Sequence, residues 1–162
     1  MRRLRATLTA IARLGALAGG ALLLLAIGVT CASVARGLWG RPILGDTEIV
    51  EMCLGVAVAL CLPWTELRGS HVVVDVFTAR LPPRTLSWLD AAMRGCAALA
   101  ATILALQIAD GAYQQWDRER ATMFLELPYW WGYAGAALGL ALWTATAFFV
   151  AAERFAQARR PA

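Results

Sequence analysis

The sequence predicts an all-α integral membrane protein: a bundle of four transmembrane helices with a short interfacial amphipathic helix between the second and third. Three observations lead to this fold class. Sixty per cent of the 162 residues are apolar, only 16% are charged where a soluble domain carries about 25%, and the apolar residues gather in four long stretches. A chain of this length forms one domain, residues 1–162.

The predicted spans are residues 14–35, 47–67, 90–112 and 128–151. Leu14–Ala35 and Leu127–Ala152 contain no charged residue, and each exceeds the roughly 20 residues that cross about 30 Å of hydrocarbon. The middle two apolar stretches contain fewer uncharged residues in a row than the outer two. They can span only if the flanking acids and arginines reach the head groups.

The arginines predict the orientation. Four spans place the N-terminal tail, the second connection and the C-terminal tail on one side, which then holds ten arginines against four on the other. The positive-inside rule makes the arginine-rich side cytoplasmic. We therefore expect a multi-pass protein of the bacterial inner membrane with both termini in the cytoplasm. Cleavage of the first span as a signal peptide is the alternative, but its apolar run is too long for a typical signal core.

Several residues predict local helix structure. Asp46 is a candidate N-cap for the second span, with Glu48 and Glu51 in its first turns. Pro63 should kink this helix or loosen its last turn. Asp90 and Arg94 are four residues apart and can pair along one face of the third span.

Glycines recur at a spacing of four in the first and last spans, as Gly15 with Gly19 and Gly135 with Gly139. Such faces let helix backbones approach closely in lipid. Packing within the chain and docking of another membrane protein both remain open.

The second connection is the most specific stretch of the sequence. Arg68 suits the C-terminus of the second helix, and Gly69 can turn the chain after it. The following residues, about 71–80, predict a helix that lies at the membrane interface. Its apolar side comprises Val72, Val73, Val76 and Phe77, and its polar side comprises His71, Asp75 and Thr78.

A family resemblance rests on these residues. The pattern consists of Glu48 and Glu51 opening a span, then Arg68, Gly69, His71, Val72, Val74 and Asp75, then Leu81, Pro82 and Pro83, and finally Leu127 to Trp130. It resembles the small permease subunit of tripartite ATP-independent periplasmic (TRAP) transporters, over essentially the whole chain.

The resemblance implies a non-catalytic partner role. Such a subunit accompanies a large multispanning permease subunit that carries the substrate and sodium sites, while a periplasmic substrate-binding protein transiently delivers an organic acid, such as a C4-dicarboxylate or another carboxylate. The small subunit would brace the large one, in contact with membrane lipid. The residues expected to make partner or fold contacts are Glu48, Glu51, Arg68, Gly69, His71 and Asp75.

The third connection contains a run of mixed charge, Asp117, Arg118, Glu119 and Arg120. With the predicted orientation this run lies on the periplasmic side. A solvated loop and a contact with the delivery protein are the two interpretations.

Other functions are disfavoured by residue counts. His71 is the single histidine, so a bis-histidine haem is excluded, and no Cys-x-x-Cys supports a metal site or a thiol oxidoreductase. We expect no cofactor, no catalytic residue and no nucleic-acid partner. The remaining alternative is an autonomous, homodimeric, proton-coupled transporter that uses Glu48 or Glu51.

Overall fold

The computed structural model describes residues 2–40, 43–68 and 83–158, and its helices confirm the all-helical prediction. They are α1 (Arg2–Gly37), α2 (Asp46–Arg68), α3 (Pro83–Asp117) and α4 (Trp130–Ala158). All four are long and apolar enough to cross a membrane. The predicted interfacial helix at 71–80 lies outside the described residues.

Two of the helices extend well beyond the predicted spans. Helix α1 has 36 residues and α3 has 35, so each is about 50 Å long at 1.5 Å per residue. An α-helix satisfies its own backbone hydrogen bonds and can therefore continue from lipid into water without a break. The apolar pattern marks the lipid-crossing part of α1, and its polar first three turns continue the same helix.

The helices lie in a row, in the order α1–α2–α4–α3. Helices α2 and α4 run parallel, and the other two neighbouring pairs run antiparallel. Helix α1 touches α4 only marginally, and within the described ranges the backbone of α3 contacts neither α1 nor α2. The four helices thus pack as successive pairs and not around a common core.

The seam between α1 and α2 is built on two glycines. A Cβ atom added to Gly19 would lie 2.8 Å from the carbonyl oxygen of Ala57 and 3.0 Å from Sγ of Cys61. One added to Gly15 would lie 3.3 Å from the carbonyl oxygen of Leu60. The backbone of α1 therefore rests directly on α2 at both positions.

The seam between α2 and α4 also brings glycines close to α2, on another side of that helix. A Cβ on Gly135 would lie 2.9 Å from Val56, and one on Gly139 would lie 2.7 Å from the carbonyl carbon of Ala59 and 2.8 Å from its oxygen. Pro63, buried within the continuous helix α2, follows Ala59 by four residues. Because proline has no N–H, that carbonyl has no helical partner, and the bare backbone of Gly139 covers it. The two predicted glycine pairs thus pack within the chain.

The third seam, between α3 and α4, relies on aromatic rings. Tyr133 packs over Gly111, where an added Cβ would lie 3.1 Å from the ring. At the other end Phe155 lies beside Gly95 and meets Trp88 edge-on, with 6.4 Å between ring centroids.

The buried core is made almost entirely of alanine. Apart from Pro63, Leu140 and Val150, every buried apolar side chain in the described ranges belongs to Ala, whereas most of the exposed large apolar side chains lie along the helices. Lipid is as apolar as leucine, so large side chains gain little by turning inward. Close backbone contact is what holds such helices together.

Gly139→Ala should lower the free energy of unfolding in detergent by about 1–3 kcal/mol, because the added methyl group forces α4 away from Ala59. Gly28→Ala is the matched control, since a Cβ there meets nothing within 4 Å. It should leave stability unchanged or raise it through helix propensity. Thermal unfolding of the purified variants measures both, and equal midpoints for the two variants would contradict the tight seam.

Candidate functional site

A buried ion pair connects α2 to α3 at the end of the row where α1 and α3 begin, which we call the arginine-rich end. Nη1 of Arg94 donates to Oε1 of Glu66 at 3.1 Å. Glu66 is 1% exposed and Arg94 is 9% exposed. These long side chains meet although the backbones of their helices do not touch.

Further polar groups extend this pair onto α4. Nε1 of Trp143 donates to Oε2 of Glu66 at 3.3 Å. Nε of Arg94 lies 3.5 Å from Asp90, which confirms the predicted pairing along α3, and Arg154 lies 3.4 Å from the other oxygen of Asp90. The ion-pair network, as we call these five residues, alternates two carboxylates with two guanidinium groups and is neutral as a whole.

The burial of this network determines what it can do. An isolated charge in an apolar interior is costly, whereas a paired and hydrogen-bonded one is tolerated. Each group of the pair therefore requires the other. The network can fix the ends of three helices relative to one another.

The sequence interpretation missed Glu66 as a site residue. It singled out the acids at the start of the second span and gave no role to Glu66 near the end of that span. A signal was present: Arg94, a cation inside a predicted span, required a carboxylate at the same membrane depth, and Glu66 ends the preceding span at that depth.

At the opposite end of the row, Glu48 binds the connection between α3 and α4. Its Oε1 accepts the backbone N–H of Phe124 at 2.9 Å, and its Oε2 accepts that of Leu125 at 3.1 Å. The carboxylate of a residue in the first turn of α2 thus holds the tip of a loop 76 residues further along the chain.

This loop is a small hairpin, residues 119–129. The N–H of Thr122 bonds to the carbonyl of Leu127 at 2.9 Å, and the Thr122 hydroxyl accepts the Leu127 N–H at 3.0 Å. Tyr129 donates to the carbonyl of Arg120 at 3.1 Å. Two non-glycine residues with positive φ, Glu119 and Glu126, turn the chain at either side.

Gly45 lets this hairpin sit on the start of α2. It has a φ of 82°, and a Cβ there would lie 2.7 Å from Cγ of Leu125. The carbonyl of Gly45 also accepts the N–H of Ile49 at 3.4 Å, which makes it the N-cap of α2. The prediction of Asp46 as N-cap is therefore displaced by one residue, and the Asp46 carboxylate instead accepts the N–H of Thr47.

Glu48 and Glu51, which the sequence places together at the start of the second span, differ in burial and in contacts. Glu48 is half-buried beneath the hairpin, whereas Glu51 is exposed on the side of α2. Among the described residues, Glu51 has no hydrogen bond or ion pair. Of the two acids, only Glu48 contacts the hairpin.

Three of the four predicted residues of the third connection do come together. Asp117, Glu119 and Arg120 line an open cavity of about 480 Å³ with the indoles of Trp116 and Trp130. Arg118 is exposed and does not line it.

The predicted second-connection residues are described only at their start. Arg68 is the last residue of α2, as predicted, and its guanidinium lies 4.7 Å from the ring centroid of Trp64. The other predicted positions lie outside the described residues: Gly69, His71, Asp75, Val72, Val73, Val76 and Phe77. The described part of the chain contains no group of three or more His, Cys, Asp or Glu side chains that could hold a metal ion.

Comparison with known families identifies the chain. The family described as "Tripartite ATP-independent periplasmic transporters, DctQ component" matches residues 25–160. The chain belongs to this family. It is a small permease component of a TRAP transporter and a multi-pass membrane protein, as the resemblance predicted. Searches among curated proteins and among solved structures gave no match.

Arg94→Met should lower the free energy of unfolding of this DctQ component by about 3–5 kcal/mol, because it removes the guanidinium group that contacts a buried carboxylate. The control is Arg154→Met, which breaks a half-exposed pair and should cost less than about 1 kcal/mol. Chemical unfolding in mixed micelles measures both. Similar losses for the two variants would show that the buried pair has no special structural role.

Glu48→Ala should release the hairpin tip, because two backbone N–H groups lose their acceptor. We expect amide hydrogen exchange at Phe124 and Leu125 to accelerate at least tenfold in the purified chain. Glu51→Ala, which removes a carboxylate that contacts no hairpin residue, is the matched control and should leave exchange unchanged. Slow exchange in both variants would mean that the hairpin is held by other contacts.

Proposed function

We propose that this chain is the non-catalytic small membrane subunit of a sodium-coupled, binding-protein-dependent importer of organic acids, and that it braces the large permease subunit in the bilayer. The observation that carries this proposal is the family match over residues 25–160. The large subunit would carry the substrate and sodium sites. A periplasmic protein would deliver a C4-dicarboxylate or another carboxylate.

The arrangement of polar groups supports a bracing role. The buried charged side chains of the described residues, Glu66 and Arg94, bond to each other across helices. Glu48 holds a loop. These groups join structural elements, which is what a brace requires.

The same geometry weighs against the autonomous proton-coupled transporter. That alternative requires Glu48 or Glu51 to exchange protons along a path through the chain. Glu48 is engaged by two backbone amides, and Glu51 faces outward from α2. The alanine-rich seams leave little room for a pathway between the helices.

The proposed orientation follows from charge. The arginine-rich end carries both termini and would face the cytoplasm of a bacterial cell, across the inner membrane. The hairpin and the acidic residues at the start of α2 would then face the periplasm, where the delivery protein docks transiently. A reporter fused after Arg160 that is active only outside the inner membrane would contradict this orientation.

Reconstitution tests the function directly. We expect tagged chain to co-purify with its large permease subunit. Proteoliposomes should take up the organic acid only with both subunits, the binding protein and an inward sodium gradient. This chain alone should give no uptake. Uptake by the chain alone that Glu51→Gln abolishes would establish the autonomous transporter instead.

A further inference from the structure

Helix α2 has three sides, and the fold covers two of them. Gly15 and Gly19 of α1 cover one, and Gly135 and Gly139 of α4 cover the second. The third side is exposed along the first half of the helix. We call it the open face of α2, and it comprises Glu51, Leu54, Gly55 and Val58.

A charged group marks this face. Glu51 lies five residues into a 23-residue apolar helix, about 7 Å along its axis from the start of α2. A carboxylate on a membrane span is more favourable beside a cation or a hydrogen-bond donor than beside hydrocarbon, so a partner that supplies one suits the open face.

A glycine marks the same face one turn further on. A Cβ on Gly55 would meet nothing within 4 Å, so packing within the chain makes no use of it. Glycine in a helix interior costs about 1 kcal/mol relative to alanine. At three other positions, Gly15, Gly19 and Gly139, the missing Cβ atom of glycine admits a neighbouring backbone. This indicates that Gly55 leaves space for a further helix.

The exposed part of α1 lacks this combination. Gly20 and Gly28 are also open, but no charged residue lies between Leu14 and Ala35. That surface is uncharged, so contact with lipid is favourable there. Among the residues that the structure describes, only the open face of α2 combines an open glycine with a carboxylate.

A second copy of the chain does not fit the open face. The face offers an acid and apolar groups but no cation. Two copies placed face to face would therefore bring Glu51 towards Glu51, and like charges oppose such a pairing.

We propose that the open face of α2 receives a transmembrane helix of the large permease subunit, which crosses close over Gly55 and presents an arginine, a lysine or an amide donor to Glu51. This inference rests on the proposed function, since it names the surface by which the brace holds its partner. The proposal accounts for both Gly55 and Glu51. A small-residue crossing brings the backbones together, and the charge fixes the register of the contact.

The test uses the full chain co-expressed with its large permease. Gly55→Leu, which fills the notch, and Glu51→Leu, which removes the carboxylate, should each reduce the recovered complex at least tenfold. Gly28→Leu, at the open glycine of α1, should recover as much complex as the wild type. Thermal unfolding of the isolated Gly55→Leu chain should match the wild type, which shows that loss of the complex is not loss of the fold.

Cross-linking identifies the occupant. A photo-reactive amino acid at position 58 should attach to the large permease, and one at position 24 of α1 should not. Attachment at position 58 to phospholipid or to a second copy of the chain would overturn the proposal, as would normal complex yield from Gly55→Leu and Glu51→Leu. If the wild-type chain forms the complex and both variants form it equally well, the docking surface on α2 is refuted and the proposed function stands. If the wild-type chain forms no complex, the proposed function is refuted as well.

Discussion

The close approach of two glycine-bearing helices to α2 is the constraint on which the rest of the structure depends. Lipid provides no hydrophobic force between helices, so their association relies on backbone proximity and on polar contacts. Helix α2 offers small residues on two sides, and α1 and α4 present glycines to them. Most of the buried apolar residues are alanines, whose small side chains suit helices packed at this distance.

Charged side chains make contacts between elements that are not neighbours in the row of helices. A row leaves α3 apart from α2, and the Glu66–Arg94 pair bridges that gap near one end. At the other end Glu48 ties the hairpin to the start of α2. Both arrangements secure connections between elements, and this is consistent with a subunit whose proposed task is mechanical support.

The sequence predicted the helices well because crossing a bilayer imposes a length and a composition that can be read directly. The family followed from the motif that begins at Arg68, and the family match confirms it. Helix ends were less well predicted, because hydropathy marks the lipid-crossing part of α1 and cannot show that the helix starts at Arg2.

Long-range pairing could not be predicted from the same patterns. The glycine spacing indicated close packing, but not that both pairs would face α2. Membrane depth favours Glu66 as the acid of the second span that could meet Arg94, but no local pattern shows which helices lie close enough for that contact. Glu48 was singled out as an acid in a first turn, whereas its role depends on the path of a hairpin 76 residues away.

The neighbour order also has a consequence for biosynthesis. The ribosome delivers α3 before α4, yet in the described structure α4 is the helix on which α3 packs. Helices α1 and α2 can close their seam as soon as both have left the translocon, while α3 must wait in the bilayer for its packing partner. During that interval the attraction between Glu66 and Arg94 is the described contact that can retain α3 beside α2, so a charge pair buried in the finished protein can also guide its assembly.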